Sequence, residues 1–243
     1  MLTIIQVGDN PASNTYIRNK IKAIEWAGLK AEVIKLPEDA TTQSVIGAIA
    51  DAKFSTAIMV QLPLPEHIDK AAVLGCIPPW KDIDGLRPHS DYKPLTPCAI
   101  MRWLREKGVE LEGKNVTILG RSELVGKPLA NMMIDAGATV TVCNSHTPMW
   151  KCTRHCRASD IVVTAVGKLE TISKFEVDDS RPQIFIDVGI NRDENGKLCG
   201  DISPEAQQAI VEAGSEYTPV PGGVGKWTVR ELVLRLAEME DNV

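Results

Sequence analysis

The run NVTILGRSELVGKPLANMM is the segment of this chain best suited to meet a phosphate. An apolar strand leads into Gly120 and a helix is expected to open near Gly126, with Arg121, Ser122 and Val125 in the turn between them. Glycines at such a turn let the backbone approach an anion, and a helix N-terminus adds free N–H groups and a positive dipole. The run is not a P-loop, because five residues separate Gly120 from Gly126 and Pro128 stands where Ser or Thr would bind magnesium. Nor is it the standard G-x-G-x-x-G. Taken alone, it is as much a tight strand-to-helix turn as a dinucleotide site. The next strand, ATVTVC, ends in Asn144-Ser145-His146-Thr147. That is about 20 residues past the glycine turn, where a dinucleotide fold presents its ribose-binding residue. NAD or S-adenosylmethionine would call for Asp or Glu there. Ser145 and His146, with Arg121 as the nearby cation, suit a 2′-phosphate instead. This points to NADP, against the plainer reading of a polar turn with no ligand.

Four further segments carry reactive or ligand-facing residue types. VGDNPASNTYIRNK places Tyr16 and Lys20 four apart, on one helical face. IMVQLPLPEH puts Gln61 at the C-terminal end of a strand, where open α/β sheets bind ligands. PPWKDIDGL gathers Lys81, Asp82 and Asp84 in a loop, and YTPVPGGVGKW is a Pro/Gly-rich loop. Singly, these read as an exposed i,i+4 pair, a strand end, a solvated charge cluster and a tight turn. A compact group of His146, Cys152, His155 and Cys156 lacks the two separated ligand pairs of a zinc site. It reads as ordinary thiols on a helix, and no metal is expected.

The elements that must position these residues alternate from end to end. LTIIQVG, KAEVIKL and STAIMVQLPL are expected strands, separated by helices over NTYIRNKIKAIEWAGL and TTQSVIGAIADAK. Prolines thicken between Pro63 and Pro97, an ordered loop with one short helix at 67–75, before the helix CAIMRWLREKG. A second alternation follows: strands NVTILG, ATVTVC, DIVVTAVG and QIFIDVGI, with helices between. The chain closes on TVRELVLRLAEME, an amphipathic helix with Val229, Leu232, Val233 and Leu236 on one side. Strand–helix–strand order implies parallel pairing with right-handed crossovers. The fold class is therefore α/β with two domains, residues 1–107 plus 228–243 and residues 108–227, the second a Rossmann-type parallel-sheet dinucleotide-binding domain.

Composition fits this reading. The 243 residues are 44% hydrophobic and 24% charged, which excludes disorder for most of the chain. Aromatics at 5% and a net charge of -5 argue against a nucleic-acid or anionic-lipid surface. No apolar run approaches the roughly 20 residues of a membrane span. MLTIIQVGDN lacks a signal peptide's basic start, and six scattered cysteines suit a reducing compartment, so a cytoplasmic location is expected.

Together the segments resemble the bifunctional methylenetetrahydrofolate dehydrogenase/cyclohydrolase family. The matching pieces run in order along the chain: VGDNPAS, Tyr16-x-x-x-Lys20, VQLPLP, KDIDG, LTPC, GRSELVGKP, TVTVCNSHT, DVGIN, GDI and TPVPGGVG. The resemblance implies an NADP enzyme that oxidises 5,10-methylenetetrahydrofolate and hydrolyses the methenyl product, with an active-site cleft between an N-terminal α/β substrate domain and the dinucleotide domain. It implies Lys20 as the central catalytic lysine, Gln61 as its hydrogen-bonding partner, Tyr16 as an orienting group and Asp84 as the holder of the pterin. Substrate contacts implied are Val60, Leu62 and Pro63 of VQLPLP, and Pro221, Gly222 and Gly223. Cofactor contacts implied are Gly120, Arg121, Ser122, Val125, Gly126, Ser145, His146, Thr147, Ile190 and Thr228. A homodimer is also implied.

The sequence departs from the family in four places. It begins at the first core strand, where relatives carry a few dozen earlier residues. Lys226-Trp227 replaces a proline and a small or sulphur residue, Asn144 a common histidine, and Leu169 a usual proline. The Lys226-Trp227 change bears on folate affinity, whereas Asn144 and Leu169 are not expected to touch the chemistry. Two rival readings are a shikimate-dehydrogenase-like NADP oxidoreductase, which leaves KDIDG and VQLPLP unexplained, and a catalytically silent folate- or nucleotide-binding protein.

Overall fold

The computed structural model describes residues 1–241. In chain order its elements are β1 (Leu2–Val7), α1 (Pro11–Trp26), β2 (Ala31–Leu36), α2 (Thr42–Asp51), β3 (Ala57–Val60), α3 (Lys70–Gly75), α4 (Leu95–Glu106), β4 (Asn115–Leu119), α5 (Gly126–Asp135) and β5 (Thr139–Cys143). There follow α6 (Met149–Ala158), β6 (Ile161–Thr164), β7 (Ile184–Asp187), β8 (Asn191–Arg192), β9 (Leu198–Cys199), α7 (Pro204–Glu212), β10 (Glu216–Tyr217) and α8 (Val224–Asp241). The chain divides into two compact units, Met1–Leu95 with the chain from Val229 onward, and Thr96–Thr228.

The first unit holds a three-stranded parallel sheet, ordered β2-β1-β3. All six residues of β1 are buried, so successive side chains must serve opposite faces. Ile5 and Val7 join Ile58 and Val60 of β3 against α2 and α3. Leu2 and Ile4 join Ala57 and Met59 against α1 and the Leu232 and Leu236 face of α8. Each fully buried Ile or Leu contributes about 1.5–3 kcal/mol, so a register slip that reversed the two faces would be costly. Helix α1 begins earlier than its apolar spacing indicated. Asn10 accepts the N–H groups of Ala12 and Ser13, and Pro11 takes the first helical position.

The second unit holds a five-stranded, all-parallel sheet, ordered β10-β7-β6-β4-β5. Val116, Ile118, Ile161, Val163 and Ile186 face α4 and α5, while Leu119, Val162 and Phe185 face α6 and α7. Four elements of this unit have no counterpart among the sequence expectations, α7 and the two-residue strands β8, β9 and β10. The final helix also starts at Val224 rather than after Trp227, so Val224–Trp227 are helical and not part of the Pro/Gly-rich loop. Lys226 donates its N–H to the Gly223 carbonyl, a bond that a proline could not make. Trp227 stacks on Trp103, with ring centroids 4.5 Å apart and planes at 16°.

Candidate functional site

In the first unit the C-terminal end of the sheet is wired by polar side chains. Buried Gln6 of β1 donates to the Gly8 carbonyl and to Asn14 Oδ1, and Asn14 donates to Asp9. This sets the start of α1, and with it the stretch carrying Tyr16 and Lys20. Lys20 does not form the exposed pair that its spacing with Tyr16 allows. Its Nζ lies 3.1 Å from Gln61 Oε1 and 3.1 Å from Met59 Sδ, across the sheet on β3 and just beyond it. Gln61 is itself held, donating its backbone N–H to Ile5 and its amide to the Leu62 carbonyl. Val60 is buried beneath it, Leu62 is half-buried and Pro63 is exposed after a cis Leu62–Pro63 bond.

Asp84 comes to the same place from the loop that follows α3. Gly85 turns this loop with φ +67°, and a Cβ there would lie 2.6 Å from the Tyr92 and Lys93 carbonyl oxygens. Buried Asp82 accepts the N–H of Arg87, so the turn is closed from both sides. Burial holds the Lys20 ammonium below the usual lysine range, opposed by the Asp84 carboxylate. Burial pushes the Asp84 carboxyl up, with Lys20 pulling it back. The Tyr16 hydroxyl is likewise pushed up by burial. A lysine with a depressed pKa, neutral partners and one nearby carboxylate is equipped to give and take protons.

Two further side chains contribute, to which no sequence motif points. In the sequence Met59 is a strand residue only. Arg235 of α8 is buried, donates to the carbonyls of Ile83 and Lys93, both at 2.8 Å, and lies 5.3 Å over the Tyr92 ring. It props the loop carrying Asp84. Its signal was present, a charged residue beside Leu236 within the apolar stripe of α8.

In the second unit the glycine turn is tight for a steric reason. A Cβ at Gly126 would lie 2.2 Å from the Gly120 carbonyl oxygen, and one at Gly120, with φ +114°, would lie 2.5 Å from that of Ala165. The free helix N–H groups expected here are partly taken, which corrects that expectation. Ser122 accepts the N–H groups of Val125 and Gly126 on Oγ and that of Lys127 on its carbonyl. The anion-binding character of the turn thus rests on the helix dipole and the exposed Arg121 beside it. At the end of β5, Asn144 Oδ1 accepts the His146 N–H, and Thr147 Oγ1 accepts the Asn144 N–H. Asn144 therefore builds the turn that leaves Ser145 and His146 exposed, a positioning role that the sequence reading did not assign. Ile190 stands exposed after β7. These hydroxyl, imidazole and guanidinium groups fit a phosphorylated ribose.

Pro221, Gly222 and Gly223 form the turn before α8. Gly222 has φ +117°, and a Cβ at Gly223 would lie 2.7 Å from the Pro219 carbonyl oxygen. Thr228 donates to the Val224 carbonyl one turn back in α8. Cys152 and Cys156 of α6 are buried thiols packed in one apolar cluster with Cys143.

Comparison with known proteins gives the same family for both units. The family model described as tetrahydrofolate dehydrogenase/cyclohydrolase, catalytic domain, matches residues 1–84, and the NAD(P)-binding domain of the same family matches residues 94–242. The bifunctional protein FolD of Streptococcus pneumoniae serotype 4 is 43% identical, over 96% of this chain and 83% of that protein. The crystal structure of the bifunctional enzyme FolD from Campylobacter jejuni superposes with a TM-score of 0.91 at 37% identity, covering 99% of this chain and 88% of that one. The Trypanosoma brucei enzyme, solved with NADP cofactor and inhibitor, also gives 0.91, at 34% identity over 99% and 86%. A Thermus thermophilus shikimate 5-dehydrogenase shares the fold alone, at 15% identity and a TM-score of 0.57 over 98% and 100%.

Proposed function

This chain belongs to the tetrahydrofolate dehydrogenase/cyclohydrolase family, and from that premise we propose how its own residues divide the work. It is a bifunctional enzyme: it oxidises 5,10-methylenetetrahydrofolate to the methenyl form with NADP and hydrolyses that product to 10-formyltetrahydrofolate. Acceptance of a hydride from the methylene carbon is the chemistry that bound NADP would supply. The residues that hold it are Gly120, Arg121, Ser122, Val125 and Gly126 at the turn, Ser145, His146 and Thr147 beyond β5, and Ile190 and Thr228.

Lys20 moves the protons of hydrolysis. As the neutral amine it takes a proton from the water adding to the methenyl carbon. As the ammonium it returns that proton to the ring nitrogen as its bond to the added carbon breaks, and the hydroxyl proton of the adduct leaves to solvent as the formyl carbonyl forms. Gln61 fixes the amine's direction, Tyr16 orients the folate, and Asp84 accepts hydrogen bonds from the pterin's donors. Val60, Leu62 and Pro63, with Pro221, Gly222 and Gly223, line the folate. The observation that carries this reading is the half-buried Lys20, with its Nζ 3.1 Å from Gln61 Oε1 and held below the ordinary lysine range. The chain also acts as a homodimer in the cytoplasm. Six free thiols support a reducing compartment, and among the described residues no helix is long and apolar enough to cross a membrane.

One absorbance experiment tests the reading. Enzyme mixed with methylenetetrahydrofolate and NADP should yield reduced cofactor, then methenyl product that decays by hydrolysis, with NAD clearly slower. Absence of both signals would leave only a binding protein.

A further inference from the structure

At the C-terminal ends of β6 and β7 lies a buried pair of carboxylates that the mechanism above does not use. Asp201 is fully buried, and its two oxygens receive five donors. Oδ2 accepts from Thr164 Oγ1 at 2.8 Å, Val166 N at 3.0 Å and Gly167 N at 3.2 Å. Oδ1 accepts from Lys168 N at 3.0 Å and Asn191 Nδ2 at 2.9 Å. A carboxylate offers about four lone-pair sites, so the capacity of Asp201 is filled. Asp187, also buried, accepts the N–H groups of Gly189, Asp201 and Ile202 and so fixes the backbone of Asp201. Glycine is required on both sides. A Cβ at Gly189 would lie 1.9 Å from Asp201 Oδ1, and one at Gly200 would lie 2.0 Å from Asp187 Oδ2.

Three successive backbone N–H groups converging on one point make the type of cradle that elsewhere grips a ligand anion. Here the protein's own carboxylate fills it, so the loop after β6 meets a ligand with side chains rather than amides. Val166 on that loop is 47% exposed, and Ile190, on the loop after β7, is 48% exposed. Both loops leave the C-terminal ends of parallel strands, and both are tied to Asp201. With the pyrophosphate at the β4 turn and the phosphorylated ribose at the end of β5, the other half of a dinucleotide extends toward β6 and β7. That half ends in the flat nicotinamide ring, for which two exposed aliphatic side chains are suitable walls.

We propose that Asp201 is a positioning residue for the nicotinamide half of the cofactor, holding the Val166–Lys168 and Gly189–Asn191 loops in the geometry that seats the ring. This deepens the NADP reading and rests on it. Calorimetric titration of the full chain with NADP and with 2′-phospho-ADP-ribose, which lacks nicotinamide, separates the two ideas. Wild-type protein that binds neither ligand would overturn the NADP reading itself. Given wild-type binding, Asp201→Asn should raise the NADP Kd about tenfold, as losing one or two bonds to a charged acceptor does, with 2′-phospho-ADP-ribose unchanged. Hydride transfer at saturating NADP should fall about a hundredfold, the usual cost of a misplaced reactant. Thr164→Val and Asn191→Ala each remove one donor and keep the charge. They should show the same ligand split at about two- to fivefold, and they decide the matter where Asp201→Asn does not fold. Unchanged NADP affinity, or equal weakening of both ligands, would overturn the proposal.

Discussion

Lys20 and Arg121 show how little a residue's type says without its surroundings. An exposed lysine in an i,i+4 pair is worth a few tenths of a kcal/mol. Here Lys20 meets Gln61 and Met59 across the sheet, and burial disfavours its charged form. Replacing it by methionine keeps the stem, so folding should change little while methenyl-folate hydrolysis falls by about a hundred- to ten-thousand-fold. Hydride transfer, which needs orientation more than protons, should fall less. Stopped-flow decay of the methenyl absorbance measures this, and near wild-type hydrolysis in Lys20→Met would remove the lysine from the mechanism. Arg121 is exposed in the glycine turn, with no carboxylate in the neighbouring Ser145–Thr147 run. Arg121→Ala should raise the KM for NADP about tenfold or more and that for NAD far less, since the charge-assisted gain is to the 2′-phosphate. Equal increases for the two cofactors would contradict that assignment.

At the scale of elements, each candidate site depends on a tight turn that only glycine can make. Between β4 and α5 the constraint is the 2.2 Å that would separate a Gly126 Cβ from the Gly120 carbonyl oxygen. Backbone cannot give way as a flexible side chain does, so Gly126→Ala must open the turn. A loss of about 1–3 kcal/mol is expected, as for other overpacked sites, together with weakened NADP binding. Urea unfolding and a cofactor titration on the same variant check both. Wild-type values in each would mean that the turn is softer than its spacing indicates. The loop carrying Asp84 follows the same logic, with Gly85 against Tyr92 and Lys93 and with Arg235 as its prop.

For the whole molecule, pH dependence and assembly are the measurable consequences. Burial pushes Asp187 up to about 6, against a backbone N–H set that favours ionisation. Its native pKa lies above the unfolded value near 3.8, so the native state holds the proton more tightly. The stabilisation from this residue is complete below about pH 4 and is lost as pH rises through about 6. The change is on the order of 3 kcal/mol. Urea midpoints at pH 4 and pH 6 should show this decline in wild type relative to Asp187→Asn, and parallel profiles would refute it. Light scattering at micromolar concentration should give about twice the 26.5 kDa chain mass. A 26.5 kDa particle would exclude the homodimer.

The sequence by itself determined the alternation of strands and helices and pointed to the candidate residues of both sites. Apolar periodicity, glycine turns and capping residues are local signals that survive in one dimension. The start of α7, Ser203-Pro204-Glu205, is another such signal, and Ser203 caps that helix by accepting the Ala206 N–H. Strand β10, at two residues, carries too little pattern to read. Only the tertiary structure decided which polar groups meet: Lys20 with Met59, Arg235 with Ile83, Asp201 with Thr164 and Asn191. These partners lie 10 to 152 residues apart, and no local preference encodes such pairings. They form because packing the two faces of each sheet brings the side chains together, and once buried they must satisfy one another. Burial is also what sets the protonation of Lys20, Asp84 and Asp187, so the acid–base properties of this chain belong to its tertiary structure.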